Sequence, residues 1–427
     1  MMIGIGLFGM SNFFYQPAWT SWNNYDTTRG FYEEPKNTIE TVFVGASTIV
    51  NGITPTELYR DYGVCSYNLG TEAQPMLASY YWVLEAERMH KKSLKTVVLD
   101  TSMIRRTPNA AAFQKALDGM KFSSSKVQAV KDYSDNLQDE ITYLEYHSRW
   151  DSLDITDFLK KDYKVKLSTR GYNFDSGSVI DNFSPEEIAV SDYYTDESAG
   201  ESNLDKESLY YLKKLIDFCN QKELKLVLIK TPAIGVWSMS DHNAIEKIAN
   251  QYQLNFIDFN YEPYIDEMQY NEATDNIDWT HLNYYGARKL TNWMGAYLTS
   301  ECGNADNRNN TKYRYMQKEL KNYETNITQI MELKESSDVT GYLQNALKDA
   351  DNVILLTVKD DAAIALQDTQ RDYLREIGLK KLASIELQDS YIGIIDSEGV
   401  AFEKIDRVAD HSELQVETDN ESALTAA

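Results

Sequence analysis

Short apolar runs alternate with amphipathic segments along much of the chain. The runs are typical of buried strands, because apolar and β-branched residues fill them without polar alternation. They occupy residues 41–45, 66–69, 96–100, 225–230 and 255–259. Segments with helical periodicity lie at residues 54–62, 75–91, 207–222, 243–252 and 284–298. Strands that alternate with helices predict an α/β fold, in which a parallel sheet carries helices on both faces.

The apolar periodicity weakens over residues 106–202, which we interpret as a helical insertion that forms a lid or a partner-binding face. The polar segment 302–310 lacks periodicity and is the best candidate for a linker. A second, smaller α/β unit follows a charged helix. The predicted organisation is a lead-in at 1–35, a main domain at 36–304, a helical linker at 305–338, a second domain at 339–405 and an acidic, frayed tail at 406–427.

The N-terminal segment is apolar and has no charged residue before Asp26. Its opening stretch, MMIGIGLFGM, is shorter than the roughly 20 apolar residues of a bilayer span, and no basic stretch precedes it. One interpretation is the end of an export signal or membrane anchor that is truncated in this sequence; the other is a buried strand. The first interpretation predicts an extracytoplasmic protein anchored at the cell surface.

Composition narrows the classes of function. The 42 Lys and Arg residues against 66 Asp and Glu residues give a net charge of −24. This balance argues against a nucleic-acid partner and against basic docking on an anionic membrane. The 30 tyrosines suit either a sugar-binding surface or a β-rich core. Three widely spaced cysteines and five histidines predict neither a disulfide framework nor a metal site, and we expect no cofactor.

Two places in the sequence carry candidate chemistry. Ser47 lies just past the glycine that ends the first predicted strand, where α/β sheets bind ligands and where backbone N–H groups can face an oxyanion. Serine is also an ordinary helix cap. Asp278 and His281 are three residues apart, so the carboxylate can contact Nδ1 and leave Nε2 to accept a hydroxyl proton. The alternative for this pair is a helix-capping aspartate beside an unrelated histidine.

The order of these features resembles the SGNH/GDSL hydrolase superfamily over about residues 36–300. The first block of that family, usually Gly-Asp-Ser, corresponds to Gly45–Ser47, and the last block, Asp-x-x-His, to Asp278 and His281. The second-block glycine, which donates a backbone N–H to the oxyanion, corresponds to Gly70. The resemblance implies a three-layer, flavodoxin-like sheet and a nucleophile, Ser47, that His281 and Asp278 activate.

Two positions depart from the pattern of that family. Ala46 stands where the first block usually has aspartate, and the third block, usually Gly-x-Asn-Asp, reads Leu99–Met103 and lacks the asparagine donor. An ionised Asp100 cannot donate a hydrogen bond, so we expect Ser102 or Thr101 to replace the asparagine. Such departures occur in the SGNH-like proteins of cell-surface polysaccharide acylation. Losing one oxyanion donor typically costs on the order of 10²–10³ in rate.

The resemblance implies a serine esterase or an O-acyltransferase, with acetyl as the expected acyl group. It implies an acylated cell-envelope polysaccharide or a small ester as substrate, and a membrane acyltransferase as partner. Arg105, which follows the strand of the third block, and Lys230, which ends a predicted strand, are candidate substrate-binding residues, and Trp237 is a candidate sugar platform. The alternatives are a surface salt bridge for Arg105 and a place in the core for Trp237.

Residues 342–403 carry a second resemblance, to the ILEI/FAM3-type domain. The matching features are a strand with an acidic-alanine end at 353–363, a helix that ends in Gly378-Leu379, and a strand with an aromatic residue at 390–394. This resemblance implies carbohydrate or partner binding at the cell surface. The hairpins that usually complete the domain are not evident after Glu403. The alternative is a generic small α/β appendage.

Two other hypotheses on function stay open. A catalytically weak SGNH-type module that binds or assembles cell-surface glycans is favoured by Ala46 and by the missing third-block asparagine. The retained serine, aspartate and histidine favour the enzyme instead. Metal-dependent hydrolysis has little support, because Asp278 and His281 lack further clustered ligands.

Overall fold

The computed structural model describes residues 28, 30–107, 109–134, 136, 170–172, 199–348, 352–359, 365–406, 414–417 and 423–426. The apolar N-terminal segment and most of the predicted insertion lie outside these residues. The chain divides into two compact units, one that ends at Tyr323 and one that begins at Glu324. No helix within the described residues is both long enough and apolar enough to cross a bilayer.

A five-stranded parallel sheet forms the centre of the first unit. Its strands are β1 (Thr41–Val44), β2 (Ser66–Asn68), β3 (Thr96–Asp100), β4 (Lys225–Lys230) and β5 (Asn255–Asp258). In space they follow the order β2-β1-β3-β4-β5, the flavodoxin-like order of a doubly wound sheet. This order confirms the predicted α/β fold. It also places a crevice at the carboxyl ends of β1 and β3, where the direction of winding changes.

Helices cover both faces of this sheet. They are α1 (Ser47–Gly52), α2 (Pro55–Tyr62), α3 (Met76–His90), α4 (Ala110–Asp118), α5 (Ser124–Tyr133), α6 (Lys206–Lys222), α7 (Met239–Tyr252), α8 (Tyr264–Met268) and α9 (Tyr284–Ser300). Successive strand residues point to opposite faces, so Val97 and Leu99 lie in one apolar cluster and Val98 lies in another. Helices α3, α6 and α7 contribute to the first cluster, and α1, α2 and α9 contribute to the second.

Arg170, which belongs to the predicted insertion, is fully buried at the outer edge of β2. Its Nε donates to the Ser66 carbonyl at 2.9 Å, and the Asn68 N–H donates to the Arg170 carbonyl at 3.1 Å. Its guanidinium contacts Glu34 at 2.6 Å and Glu319 at 2.9 Å. Backbone groups that an edge strand would leave unpaired therefore have partners here.

The polar segment 302–310 is bound to the first unit and does not act as a linker. Asn304 Nδ2 donates to Thr41 Oγ1 at 2.7 Å, and Asn307 Nδ2 donates to Glu40 Oε2 at 2.8 Å. Both asparagines are buried. Buried amide side chains are stable when their hydrogen bonds are made, so a polar, aperiodic sequence does not by itself mean an exposed chain.

The boundary between the two units falls inside helix α10 (Tyr315–Lys334), within the segment 305–338 that the sequence predicts as a helical linker. The second unit has a three-stranded antiparallel sheet with the order β6-β7-β8. Its strands are β6 (Val353–Val358), β7 (Ser390–Asp396) and β8 (Gly399–Asp406), and its helices are α11 (Val339–Ala346), α12 (Asp368–Glu376) and α13 (Lys380–Ala383).

Two features of the second unit differ from the sequence prediction. Strand β8 was not predicted; its pairing with β7 shifts register between Ile394 and Ile395, and such a bulge disturbs the alternation that identifies a strand. The tail, expected to fray, contains an antiparallel pair, β9 (Leu414–Glu417) and β10 (Ala423–Ala426). Strands this short carry too few residues for a clear period of two.

Candidate active site

The turn after β1 places Ser47 at the carboxyl edge of the sheet, as the first residue of α1. Gly45, in this turn, has a φ of +149°, and a Cβ there would lie 2.8 Å from the Cβ of Asp100 in β3. Both the positive φ and the close approach of the neighbouring strand require glycine. The tight turn thereby holds Ser47 beside the crevice between β1 and β3.

Ser47, His281 and Asp278 form a continuous hydrogen-bonded row. Ser47 Oγ lies 2.7 Å from His281 Nε2. His281 Nδ1 lies 2.7 Å from Asp278 Oδ2. The fold therefore brings the turn after β1 and the loop before α9 together, with the three side chains in the order that serine activation requires.

The Asp278 carboxylate closes the loop that carries His281. Its Oδ1 accepts the N–H groups of Thr280 at 2.8 Å and His281 at 2.9 Å, and the Thr280 hydroxyl donates to it at 3.2 Å. Partial burial raises the pKa of Asp278, but the hydrogen bonds from His281 and Thr280 outweigh it, so this pKa lies well below its usual range. Asp278 is therefore ionised at neutral pH.

The protonation of the His281 ring follows from its two neighbours. An ionised carboxylate only accepts hydrogen bonds, so the ring proton resides on Nδ1 and faces Asp278. Nε2 is then unprotonated and accepts the hydroxyl proton of Ser47. In this tautomer the imidazole can act as a general base toward the serine.

Two backbone N–H groups lie where an oxyanion could be held. Within the part of the chain that the structure describes, the amides of Ser47 and Gly70 donate to no other protein group. A Cβ at Gly70 would lie 3.1 Å from the carbonyl oxygens of both Gly45 and Ala46, so this glycine packs directly on the turn that carries Ser47. Ala46 caps α1 without a side-chain hydrogen bond, which leaves the start of the helix open.

The predicted third donor, Ser102, is committed elsewhere. Its hydroxyl donates to Asp100 Oδ1 at 2.6 Å, and its N–H donates to the same oxygen at 2.8 Å. Thr48 Oγ1 donates to the other oxygen of this buried carboxylate. Thr101 Oγ1 donates to the Ile229 carbonyl at 3.0 Å. A hydroxyl has one hydrogen to give, so in this arrangement neither Ser102 nor Thr101 replaces the missing asparagine, and that prediction is corrected.

Two of the candidate substrate-binding residues have partners within the fold. The Arg105 guanidinium donates to Asp241 Oδ2 at 2.7 Å and to the Val236 carbonyl at 2.8 Å, which agrees with the salt-bridge alternative. Lys230 is buried, and its ammonium donates to the Thr231 carbonyl at 2.6 Å. Burial lowers the pKa of Lys230. Both cations therefore have partners within the fold, and Lys230 is withdrawn from the surface by its burial.

Trp237 lies in the core and is 2% exposed. Its Nε1 donates to Asp258 Oδ2 at 2.7 Å, and the same oxygen lies 2.9 Å from His242 Nδ1. A surface on which sugars stack must be accessible, so the prediction of a sugar platform at Trp237 is wrong and the core alternative holds. His242 and Asp258 form a second His–Asp pair, which fixes this buried cluster.

Sequence reasoning overlooked two residues that border the triad. Trp279 follows Asp278 and is 39% exposed. Thr280 contributes both its N–H and its hydroxyl to the Asp278 carboxylate. The sequence could have indicated both residues, because they are the two residues between the aspartate and the histidine of the Asp-x-x-His block. Residues at these positions lie next to any site that the block forms.

The described residues offer no site for a metal ion. Among them, no group of three His, Cys, Asp or Glu side chains is close enough together to hold one.

Comparisons with known proteins find similarity among solved structures. No protein-family model matches the chain, and no curated protein matches it. Among solved structures, the chain is similar to a "putative acylhydrolase" from Bacteroides fragilis, whose crystal structure was determined at 2.00 Å. The sequences are 10% identical, the superposition covers 66% of this chain and 98% of that chain, and the TM-score is 0.29. A TM-score this low says nothing about the chemistry of this site.

Proposed function

We propose that the protein is a serine-type acyl-ester enzyme, either an esterase or an O-acyltransferase. The observation that carries this proposal is the hydrogen-bonded row in which Ser47 Oγ lies 2.7 Å from His281 Nε2 and His281 Nδ1 lies 2.7 Å from Asp278. A serine hydroxyl is a weak nucleophile until an adjacent base takes its proton, and this row supplies the base and the group that orients it.

The proposed reaction uses each member of the row in turn. Ser47 Oγ attacks the ester carbonyl carbon while His281 Nε2 takes the serine proton, and the new oxyanion is held by the amides of Ser47 and Gly70. The intermediate collapses, the leaving alkoxide takes the proton from His281, and the acyl group stays on Ser47. Water or a sugar hydroxyl then attacks the acyl-serine, which yields an acid or a new ester.

We propose an O-acetyl group on a cell-envelope polysaccharide as the substrate. The resemblance of residues 36–300 to the SGNH/GDSL superfamily supports this choice. The exposure of the site supports it too: the Asp278 side chain is 47% exposed, so an ester carried on a polymer can reach the triad. The same resemblance supports a cell-surface location, an N-terminal anchor and a membrane acyltransferase partner. The ILEI-like pattern of residues 342–403 supports glycan binding by the second unit.

A binding or assembly module is the second candidate function. The observation that favours it is the bond from the Ser102 hydroxyl to Asp100, because it leaves two backbone amides as the oxyanion donors among the described residues. A missing donor typically costs on the order of 10²–10³ in rate. A protein that only binds glycans would tolerate that loss.

Hydrolysis of p-nitrophenyl acetate by the wild type, Ser47→Ala and His281→Ala separates the two candidates. We expect wild-type turnover above background, and background rates in both variants, with melting temperatures that change by no more than a few degrees. Turnover that survives in Ser47→Ala would exclude this serine as the nucleophile. A wild type that transfers acetyl neither to water nor to added sugar would favour the binding module.

A further inference from the structure

The tryptophans that the structure describes in the first unit differ in exposure. Trp82 and Trp237 are buried, and Trp293 is partly covered, with its N–H donating to Glu267 at 2.9 Å. Trp279 is 39% exposed. An indole exposed to this extent leaves part of its apolar surface available for contact with another molecule.

The backbone at Trp279 is held firmly beside the triad. Its carbonyl accepts the Ile234 N–H at 2.8 Å. On either side, Asp278 accepts the N–H groups of Thr280 and His281, which fixes the turn. Two chain steps separate Trp279 from His281, so their Cα atoms lie within about 7 Å of each other. Trp279 therefore stands on an anchored loop beside the triad.

We infer that Trp279 is the platform on which the sugar ring of an acylated glycan stacks. This inference rests on the proposed function and deepens it, because it assigns the substrate class to one side chain. An O-acyl group is joined to the pyranose ring directly or through one exocyclic carbon. A carbonyl at Ser47 thus keeps the sugar ring within a few ångströms of the triad, and Trp279 lies on the loop that carries His281 of that triad.

The chemistry of an indole suits a sugar ring. Its broad apolar face can cover the C–H face of a pyranose, and polar groups beside it can meet the hydroxyl groups. Here the carboxylate of Asp278, whose side chain is 47% exposed, adjoins Trp279 in the chain and can accept a further hydrogen bond. A site for a long fatty acyl chain is instead a deep apolar cleft, and an exposed indole flanked by polar side chains does not provide one.

The test compares a sugar ester with a small ester in the wild type and in three variants. Acetate release from glucose pentaacetate and hydrolysis of p-nitrophenyl acetate are measured with the wild type, Trp279→Ala and Trp279→Phe. We expect the ratio of kcat/KM for the sugar ester to kcat/KM for the small ester to fall by about three- to tenfold in Trp279→Ala, the size of one aromatic contact. Trp279→Phe should restore most of the ratio. Tyr210→Ala, which removes an exposed aromatic ring on α6, is the matched control and should leave the ratio unchanged.

The outcomes separate this inference from the proposed function. An unchanged ratio in Trp279→Ala overturns the platform while leaving the esterase intact. A loss that is larger for p-nitrophenyl octanoate than for the sugar ester overturns it as well, since the indole would then contact the acyl chain. If the wild type hydrolyses neither ester and also transfers no acetyl group to an added sugar, the proposed function fails. The platform is then tested by binding of xylohexaose to Ser47→Ala and to Ser47→Ala/Trp279→Ala, where equal affinities overturn it and a three- to tenfold loss supports it.

Discussion

Replacing Asp278 with asparagine changes one atom at the centre of the proposed chemistry. Oδ1 of Asp278 accepts three hydrogen bonds, two from the N–H groups of Thr280 and His281 and one from the Thr280 hydroxyl. An asparagine must keep its oxygen on these donors, so its NH₂ group takes the Oδ2 position, 2.7 Å from His281 Nδ1. The amide then donates to Nδ1 and drives the ring proton to Nε2, where it faces Ser47.

The expected loss follows from this change of tautomer. A histidine that is protonated on Nε2 cannot accept the serine proton, and the same substitution in a serine protease triad lowers kcat by about 10⁴. That factor corresponds to about 5 kcal/mol of transition-state stabilisation. We expect a loss of this size for Asp278→Asn in p-nitrophenyl acetate hydrolysis, with the loop conformation retained because its three hydrogen bonds are kept.

The matched control is His242→Asn, which disrupts the second His–Asp pair. His242 Nδ1 lies 2.9 Å from Asp258 Oδ2, a geometry close to that of the triad pair, but among the described residues no serine hydroxyl is hydrogen-bonded to its ring. We expect its kcat/KM to stay within about twofold of the wild type. Retention of more than a tenth of wild-type activity by a folded Asp278→Asn protein would refute the mechanism, and so would equal losses in both variants.

The remaining predictions concern stability. Arg170→Met should lower the free energy of unfolding by about 3–5 kcal/mol in urea denaturation, because it leaves two glutamates without their buried cation, and a loss below about 1 kcal/mol would contradict this account. Burial lowers the pKa of His90 to about 3, while its Nδ1 accepts the N–H groups of Thr38 and Ile39. The unfolded chain binds a proton near pH 6.5 that the folded chain does not, so His90 reduces stability progressively as pH falls from about 6.5 to 3. Between pH 6.5 and 5.5, the free energy of unfolding of His90→Asn should fall by about 1 kcal/mol less than that of the wild type. Parallel curves of unfolding free energy against pH for the two proteins would contradict this role of His90.

The strand–helix alternation and the triad were accessible from the sequence because each depends on local pattern. Runs such as 41–45 and 96–100 have three consecutive apolar residues at their centre instead of alternating polar and apolar ones, a pattern typical of a strand buried on both faces. The three-residue spacing of Asp278 and His281 likewise limits the distance between their side chains, because both residues lie within one turn of the chain. The contact between this pair and Ser47 can then be predicted if the first strand is taken as an interior strand of a doubly wound sheet.

What the sequence did not reveal was the exposure of individual side chains. Trp237 and Trp279 both lie in loops near the carboxyl edge, yet one is buried on Asp258 and the other is exposed beside Asp278. The exposure of a side chain depends on contacts with residues far away in the sequence, and a short stretch of sequence does not show these contacts. For the same reason the bond from Ser102 to Asp100 and the burial of Asn304 against Thr41 could not be predicted.

The cover that Arg170 provides over β2 has a consequence for biosynthesis. Ser66 and Arg170 are 104 residues apart, and translation proceeds at about 5–20 residues per second. A nascent β2 therefore waits on the order of 5–20 s before the chain that caps its edge leaves the ribosome. During that interval an unpaired strand edge is open to the same edge on a neighbouring polysome-bound chain. The length of the insertion thus sets how long the edge of β2 stays unpaired during synthesis. A shorter insertion should therefore raise the yield of folded protein at high expression rates.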